Sequence, residues 1–403
     1  MSTLCRRCFH LVPAGREWVL CLSDRCREVA DLDGELSPLV LDPGREERLW
    51  SRFSGRVNLD APCPVCAQLG TLRLACPRCH RELPGAETAD DHVIAVLGAK
   101  DAGKTHYLAT LYHALAEAEE PAGGEAWELE LDEAARERLR AELWRPLFEE
   151  MRELEATPAT RRPEEMNLLL HHRETGRRVL AVFQDLSGEI LSDRRRLARE
   201  ELVLHARGVI LLADPLAFDG RSRGRRGSWH HGQPTCVEVL RTYRQAAEER
   251  ARRAASPEEQ AERNLLPEHK VLAVAVTKAD LVLRSRSHPF WDGAGSAAAW
   301  ESGYWERRAG DDRMAREWLL ERTGPELARL ARPFADVGWF FVSSFGYEHK
   351  PHTETLVKPP SPLRVHEPLF ALLDRFAAEP AARRRPGRRG AEVDRESPIP
   401  EAL

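Results

Sequence analysis

Residues Val93 to Tyr112 read VIAVLGAKDAGKTHYLATLY. Apolar residues lead into Gly98-Ala-Lys-Asp-Ala-Gly103-Lys104-Thr105, and apolar residues at helical spacing follow. A strand, then G-x-x-x-x-G-K-[ST], then a helix is the context in which this pattern cradles phosphates. Gly98 and Gly103 permit the tight backbone path. The amides of Asp101, Ala102 and Gly103, and those of Lys104, Thr105 and His106 where the helix starts, face the anion. Lys104 reaches the β and γ phosphates and Thr105 ligates Mg²⁺.

The rest of the chain divides around this loop. Residues 1–90 hold eight of nine cysteines, residues 91–380 alternate strand-like and helical patterns, and residues 381–403 are nearly devoid of apolar side chains. The middle zone reads as an α/β domain, the last as a disordered tail. A net charge of -5 gives no global pull toward nucleic acid or a membrane surface. No apolar run reaches the about 18–20 residues that span a bilayer. The N-terminus lacks the apolar region of a signal peptide, so a cytoplasmic location is expected. Paired cysteines in that compartment bind metal more often than they form disulfides.

Strands are expected at Val93–Leu97, Leu168–His171, Arg178–Gln184, Val209–Ala213, Val271–Val276 and Trp339–Val342. Helical patterns cover Lys104–Glu119, Glu189–His205, Val237–Ala254 and Arg313–Ala331. Only HRETGRR separates the second and third strands, too short for a parallel crossover, so these two should form an antiparallel hairpin. Stretches near 219–235 and 285–312 read as insertions, the first an Arg/Gly-rich loop that is most simply solvated. Residues Glu125–Glu155 read as helical material, either packed on the sheet or forming a separate lid.

Two further motifs end strands. Asp185-Leu-Ser-Gly188 follows the hairpin: the acid can hold the Mg²⁺ shell and the Gly188 N–H can meet the γ-phosphate. The plainer reading is a strand ending in an Asp-capped turn. Thr277-Lys278-Ala279-Asp280 closes VLAVAV. A carboxylate there accepts from both N1–H and the exocyclic amine of guanine, whereas adenine leaves it unpaired. The Lys278 stem can lie along the base.

Together these residues resemble the guanine-nucleotide-binding proteins of the translation-factor and Ras-like (TRAFAC) class, over roughly Asp91 to Glu379. The resemblance implies a hairpin of the second and third strands. It also implies contact of Ser343 and Ser344, in VSSFG, with the guanine O6, and closure of Thr160 (less convincingly Thr157) over Mg²⁺ and the γ-phosphate. Thr277 stands where the class has Asn, and Glu189 where Ras-like members have the water-orienting Gln. Lys104, Thr160, Gly188 and Glu189 are thus the candidate catalytic set. Arg161 or Arg162 could add charge in cis, although a solvated loop is the simpler reading. Gly98–Ala109 is similar to the phosphate loop of bacterial double-GTPases associated with conflict systems. That similarity implies a switch working with protein partners, including a second GTPase.

The cysteine pairs are Cys5/Cys8, Cys21/Cys26, Cys63/Cys66 and Cys76/Cys79. Four close pairs suit two tetrahedral Zn²⁺ sites. Sequential pairing puts the first two pairs on one ion and the last two on the other; alternate, cross-braced pairing remains open, as does an iron–sulfur site. The module could recognise protein, or nucleic acid as the less favoured partner. Cys236 reads as a small buried apolar residue.

The expected architecture is an α/β phosphate-loop sheet with an antiparallel second strand and helices on both faces, preceded by a small zinc-ribbon-like module. The expected ligands are GTP or GDP, Mg²⁺ and two Zn²⁺. Two rivals stand beside a GTPase: an ATP-dependent enzyme such as a kinase, which predicts a parallel second strand, and a zinc scaffold with a silent nucleotide site.

Overall fold

The computed structural model describes residues 2–4, 11–13, 16–23, 25–26, 39–41, 58–77, 80, 82–83, 90–118, 122, 127–131, 133–154, 165–173, 176–184, 186–218, 235–253, 265–283, 304–347 and 355–378. In the cysteine-rich zone, β1 (Ser2–Leu4) and β2 (Leu11–Pro13) pair antiparallel. Strand β3 (Trp18–Cys21) lies between β4 (Leu39–Leu41) and β5 (Leu72–Ala75), also antiparallel. These strands are short and their apolar clusters small, with Val19, Leu41 and Leu72 packed among the cysteines themselves. A module with so little apolar core needs another source of stability.

The remaining strands are β6 (Asp90–Gly98), β7 (Trp127–Glu130), β8 (Glu165–His172), β9 (Arg177–Gln184), β10 (Gly208–Ala213), β11 (Val271–Val276) and β12 (Asp336–Phe341). They form one sheet in the order β12-β11-β10-β6-β9-β8-β7. Every residue of β10 and β11 is buried, as expected for parallel strands covered on both faces. Along β6 the alternation of strand side chains is visible. Val93, Ala95 and Leu97 enter one core with Leu240, Tyr243 and Leu319. Ile94 and Val96 enter the other with Tyr107, Leu111 and Phe370. The expected hairpin is present: β8 and β9 pair antiparallel from Glu165↔Gln184 to His172↔Arg177.

Helix α1 (Lys104–Tyr112) follows the phosphate loop and relaxes into a π-helical turn at His113–Glu117, rather than continuing to Glu119. The stretch read as purely helical from Glu125 opens instead with the edge strand β7, antiparallel to β8. Helices α2 (Glu133–Leu139) and α3 (Arg145–Phe148), joined by a π-helical turn, then pack back on α1. Trp144 Nε1 donates to His113 Nδ1 at 3.0 Å, and the His113 ring stacks on Phe148 at 4.0 Å. This material belongs to the body of the domain.

The single helix expected over Glu189–His205 is three short ones, α4 (Gly188–Ser192), α5 (Arg194–Leu197) and α6 (Glu201–His205). Asp193 causes the first break. Its carboxylate accepts from the Arg195 and Arg196 amides and starts α5 afresh. Helix α7 (Cys236–Arg252) begins with a Thr235/Glu238 capping box. After β11 comes α8 (Ala279–Val282). Helix α9 (Tyr304–Thr323) starts inside the stretch read as an insertion, and Gly324 separates it from α10 (Pro325–Ala331). Helix α11 (Glu367–Ala378) completes the second face. The tail 381–403 and most of both insertions lie outside the described residues.

Candidate nucleotide and metal sites

Strands β6, β9, β10, β11 and β12 run parallel, so their C-terminal ends share one edge of the sheet. Such edges are where open α/β sheets bind ligands. The phosphate loop leaves β6 there with two left-handed residues, Asp101 (φ 64°) and Gly103 (φ 83°), before α1 begins. Gly103 adopts this conformation without a Cβ penalty, and it aims the helix N-terminus into the loop. Lys104 is 7% exposed, and its ammonium donates to the Gly98 and Ala99 carbonyls at 3.1 and 2.9 Å. A phosphate entering the loop offers this buried cation stronger, charged acceptors. Thr105 and His106 open the helix, and the His106 ring lies 5.2 Å from Phe345.

The base-reading motif stands beside this loop. Thr277 is buried, and its amide and its hydroxyl both donate to the Ala213 carbonyl, at 3.0 and 3.4 Å, which ties the loop to β10. Lys278 is left-handed at φ 50°, a conformation that costs about 1–2 kcal/mol for a residue with a Cβ. Its ammonium donates to the Asp101 carbonyl at 3.1 Å and to Asp214 Oδ2 at 2.8 Å. One side chain therefore bridges the end of β10, the end of β11 and the phosphate loop. The Ser343 hydroxyl donates to Asp280 Oδ1, and the Gly346 amide donates to Ser343 Oγ at 2.8 Å. Ser343 thus meets the motif carboxylate, while Ser344 follows it half-buried. Asp214 and Lys100 were not singled out from the sequence. Asp214 carries no motif, and its one local signal is a short polar residue closing an all-apolar strand.

Gly188 begins α4 directly against the phosphate loop. A Cβ on it would lie 2.2 Å from the Lys100 amide nitrogen, so no other residue fits without moving that loop. Ser187 caps the helix by accepting from the Ile190 amide. Glu189 follows, with its carboxylate 3.7 Å from the Lys100 ammonium. Asp185, Thr157, Thr160, Arg161 and Arg162 lie outside the described residues. Among the described magnesium candidates, Thr105 stands at the loop.

In the cysteine-rich module the thiols of Cys21, Cys26, Cys63 and Cys66 all lie within 4.8 Å of one another. The two middle pairs therefore come together, in neither the sequential nor the alternate arrangement. The reason is the sheet. β3 ends at Cys21 and pairs with the start of β5 at Leu72, which brings the Cys63–Cys66 turn alongside. Cys21 and Cys66 sulfurs are 3.8 Å apart, and those of Cys26 and Cys63 3.7 Å. A tetrahedral Zn²⁺ with Zn–S bonds of 2.3 Å has S–S edges of about 3.8 Å. The spacing fits zinc and is far from a disulfide. Burial pushes the Cys26 and Cys63 thiols up, and a cation among the four sulfurs would favour their thiolates. The turn Cys63–Ala67 closes with the Ala67 amide on the Cys63 carbonyl at 2.8 Å, and the His80 amide meets the Cys76 carbonyl at the same distance. Ala67 and His80 are both left-handed. Cys76 is buried beside Val12 of β2; Cys5, Cys8 and Cys79 lie outside the described residues.

Residues 92–299 match the family model described as Double-GTPase 2. No curated protein matches the chain.

Proposed function

The chain belongs to the Double-GTPase 2 family, and on that premise we propose that it is a Mg²⁺-dependent, GTP-hydrolysing switch. One observation carries this reading: the base-reading motif and the phosphate loop are bonded into a single unit through Lys278 and Asp101. A nucleotide that satisfies Asp280 is thereby set in register with Lys104. Ser343 holds one oxygen of the Asp280 carboxylate, which orients it to accept from a guanine edge. The antiparallel β8–β9 pairing argues against the kinase alternative, which calls for a parallel second strand.

In this reading Thr105 and Asp185 hold Mg²⁺, Thr160 closes over the γ-phosphate, and Gly188 senses it through its amide. Release of phosphate relaxes these segments. The zinc module serves protein recognition. Cys21, Cys26, Cys63 and Cys66 hold one ion, which leaves Cys5, Cys8, Cys76 and Cys79 for a second. We further propose that the switch acts with protein partners, a second GTPase among them, in a bacterial defence or stress-regulatory system in the cytoplasm. Among the described residues no helix is long and apolar enough to cross a membrane.

The test is a Mg²⁺-dependent titration of the full chain with labelled GTP and ATP, alongside Asp280→Asn. The expected result is GTP preference that Asp280→Asn transfers toward xanthosine triphosphate. Equal ATP binding, indifferent to Asp280, overturns the reading. Binding of GTP without turnover, even with partners present, leaves the silent scaffold.

A further inference from the structure

Glu189 poses a charge problem. On the GTPase reading it stands where Ras-like proteins carry the water-orienting Gln, yet a carboxylate there repels a γ-phosphate that already carries negative charge. The phosphate loop contains its answer. We propose that Lys100 is the cation that neutralises the γ-phosphate in cis, and that Glu189 holds Lys100 when no γ-phosphate is present. This inference rests on the GTPase reading above.

Three features lead to it. Lys100 lies between Gly98 and Gly103, within the loop that wraps the phosphates. The Gly188 backbone is pressed on the Lys100 backbone closely enough that a Cβ would stand 2.5 Å from Lys100 Cα. The next residue, Glu189, is thereby brought beside the Lys100 side chain wherever α4 is docked. Finally, the ammonium–carboxylate distance is 3.7 Å, with the two side chains 50% and 57% exposed. Such a solvated pair is worth at most about 1 kcal/mol, so a multiply charged phosphate easily outcompetes it. Lys104 differs in kind: it is buried and bonded to the carbonyls of its own loop. The loop thus carries a fixed inner cation and an outer one that can be exchanged between two anions.

The exchange links chemistry to switching. With GTP bound, Lys100 turns to the γ-phosphate and releases the Glu189 carboxylate to orient water. The water oxygen bonds to the γ-phosphorus, the bond from that phosphorus to the β–γ bridging oxygen breaks, and the water's proton ends on inorganic phosphate. Lys100 offsets the charge that collects on the leaving oxygens. Once phosphate departs, Lys100 returns to the Glu189 carboxylate.

The experiment uses the full-length protein with Lys100→Met, Glu189→Gln and the double variant. Affinities for GDP and for a non-hydrolysable GTP analogue are measured, together with single-turnover GTP hydrolysis. Lys100→Met should weaken the analogue at least about fivefold more than GDP and slow hydrolysis about 10- to 100-fold, less than the effect of a trans-acting arginine. Glu189→Gln should tighten the analogue relative to GDP, and the gain should be smaller in the Lys100→Met background, where only the direct repulsion is relieved. Equal losses for analogue and GDP would mark Lys100 as a merely structural loop residue and overturn the proposal, as would a Glu189→Gln gain that is equally large with and without Lys100. If wild-type protein binds no guanine nucleotide, the GTPase reading falls and this proposal with it. Normal wild-type behaviour with an unchanged analogue-to-GDP ratio in Lys100→Met sinks this proposal alone.

Discussion

The ammonium of Lys278 is held at 2.8 Å by the carboxylate of Asp214, a residue 64 positions earlier in the chain. Asp214 is buried, and its other oxygen, Oδ1, accepts from the Leu216 amide at 2.9 Å. The carboxylate is thus fixed before it meets the lysine, and it steers Lys278 toward the Asp101 carbonyl. Asp214→Asn keeps the shape and the amide contact but removes the charge. It should weaken guanine-nucleotide binding about tenfold, in line with a charge-assisted hydrogen bond of about 1.5–3 kcal/mol partly kept by an amide. GTP-over-ATP preference should persist, because Asp280 is untouched. Isothermal titration with GDP, ATP and xanthosine diphosphate checks both halves.

Ser343 contributes through Asp280. Ser343→Ala should lower GDP affinity by about 5- to 15-fold, the cost of one hydrogen bond of about 1–1.5 kcal/mol. Thermal stability without nucleotide should change much less than the affinity. A drop in melting temperature matching the affinity loss would assign Ser343 to folding alone.

Gly188 allows α4 to rest on the phosphate loop, and its replacement by alanine places a methyl group against the Lys100 backbone. A displacement of about 1 Å at a reacting centre can cost about 100-fold in rate. Gly188→Ala should therefore reduce hydrolysis by roughly that factor while GDP binding survives. Parallel rate and binding measurements separate the two.

The cysteine pairing can be read by metal analysis. Cys26 and Cys63 sit in one cluster. Cys26→Ser, Cys63→Ser and their combination should each lose the same single equivalent of zinc. Sequential pairing would make the combined variant lose two. Strong chelators should also lower the module's stability, since structural zinc contributes folding free energy outright.

Lys270, directly before β11, is fully buried and donates to the Leu204 and Ala206 carbonyls at the end of α6, at 2.7 Å each. Burial pulls its ammonium down to about 7, against about 10.4 in an unfolded chain. Between these values the unfolded state binds the extra proton, so this residue makes stability rise with pH, by at most about 1.4 kcal/mol per pH unit. Below pH 7 the penalty is constant. Denaturation midpoints of wild type minus Lys270→Met should climb from pH 7 to 9 and be flat from pH 5.5 to 6.5.

Much of the nucleotide-binding half was legible before folding. The loop Gly98–Thr105 and the Thr277–Asp280 run are each contiguous, and their chemistry depends on neighbours a few residues away. The β8–β9 hairpin followed from a connection too short to cross over. Helix ends were less legible. The breaks at Asp193 and Gly324 come from a cap and a backbone change set inside stretches whose apolar spacing is continuous. Strand β7 escaped notice because an edge strand of four residues carries little alternation.

By itself, the sequence determined that this chain has a strand–loop–helix of the phosphate-binding pattern and eight cysteines in close pairs, since both signals are local in the chain. Tertiary structure alone decided that Lys278 bridges Asp214 and Asp101, that Glu189 faces Lys100, and that the middle cysteine pairs meet. Each of these contacts closes a loop of many residues whose own composition does not encode its span. The order of strands in the sheets sets which loop ends meet, and that order is fixed by burying both faces at once.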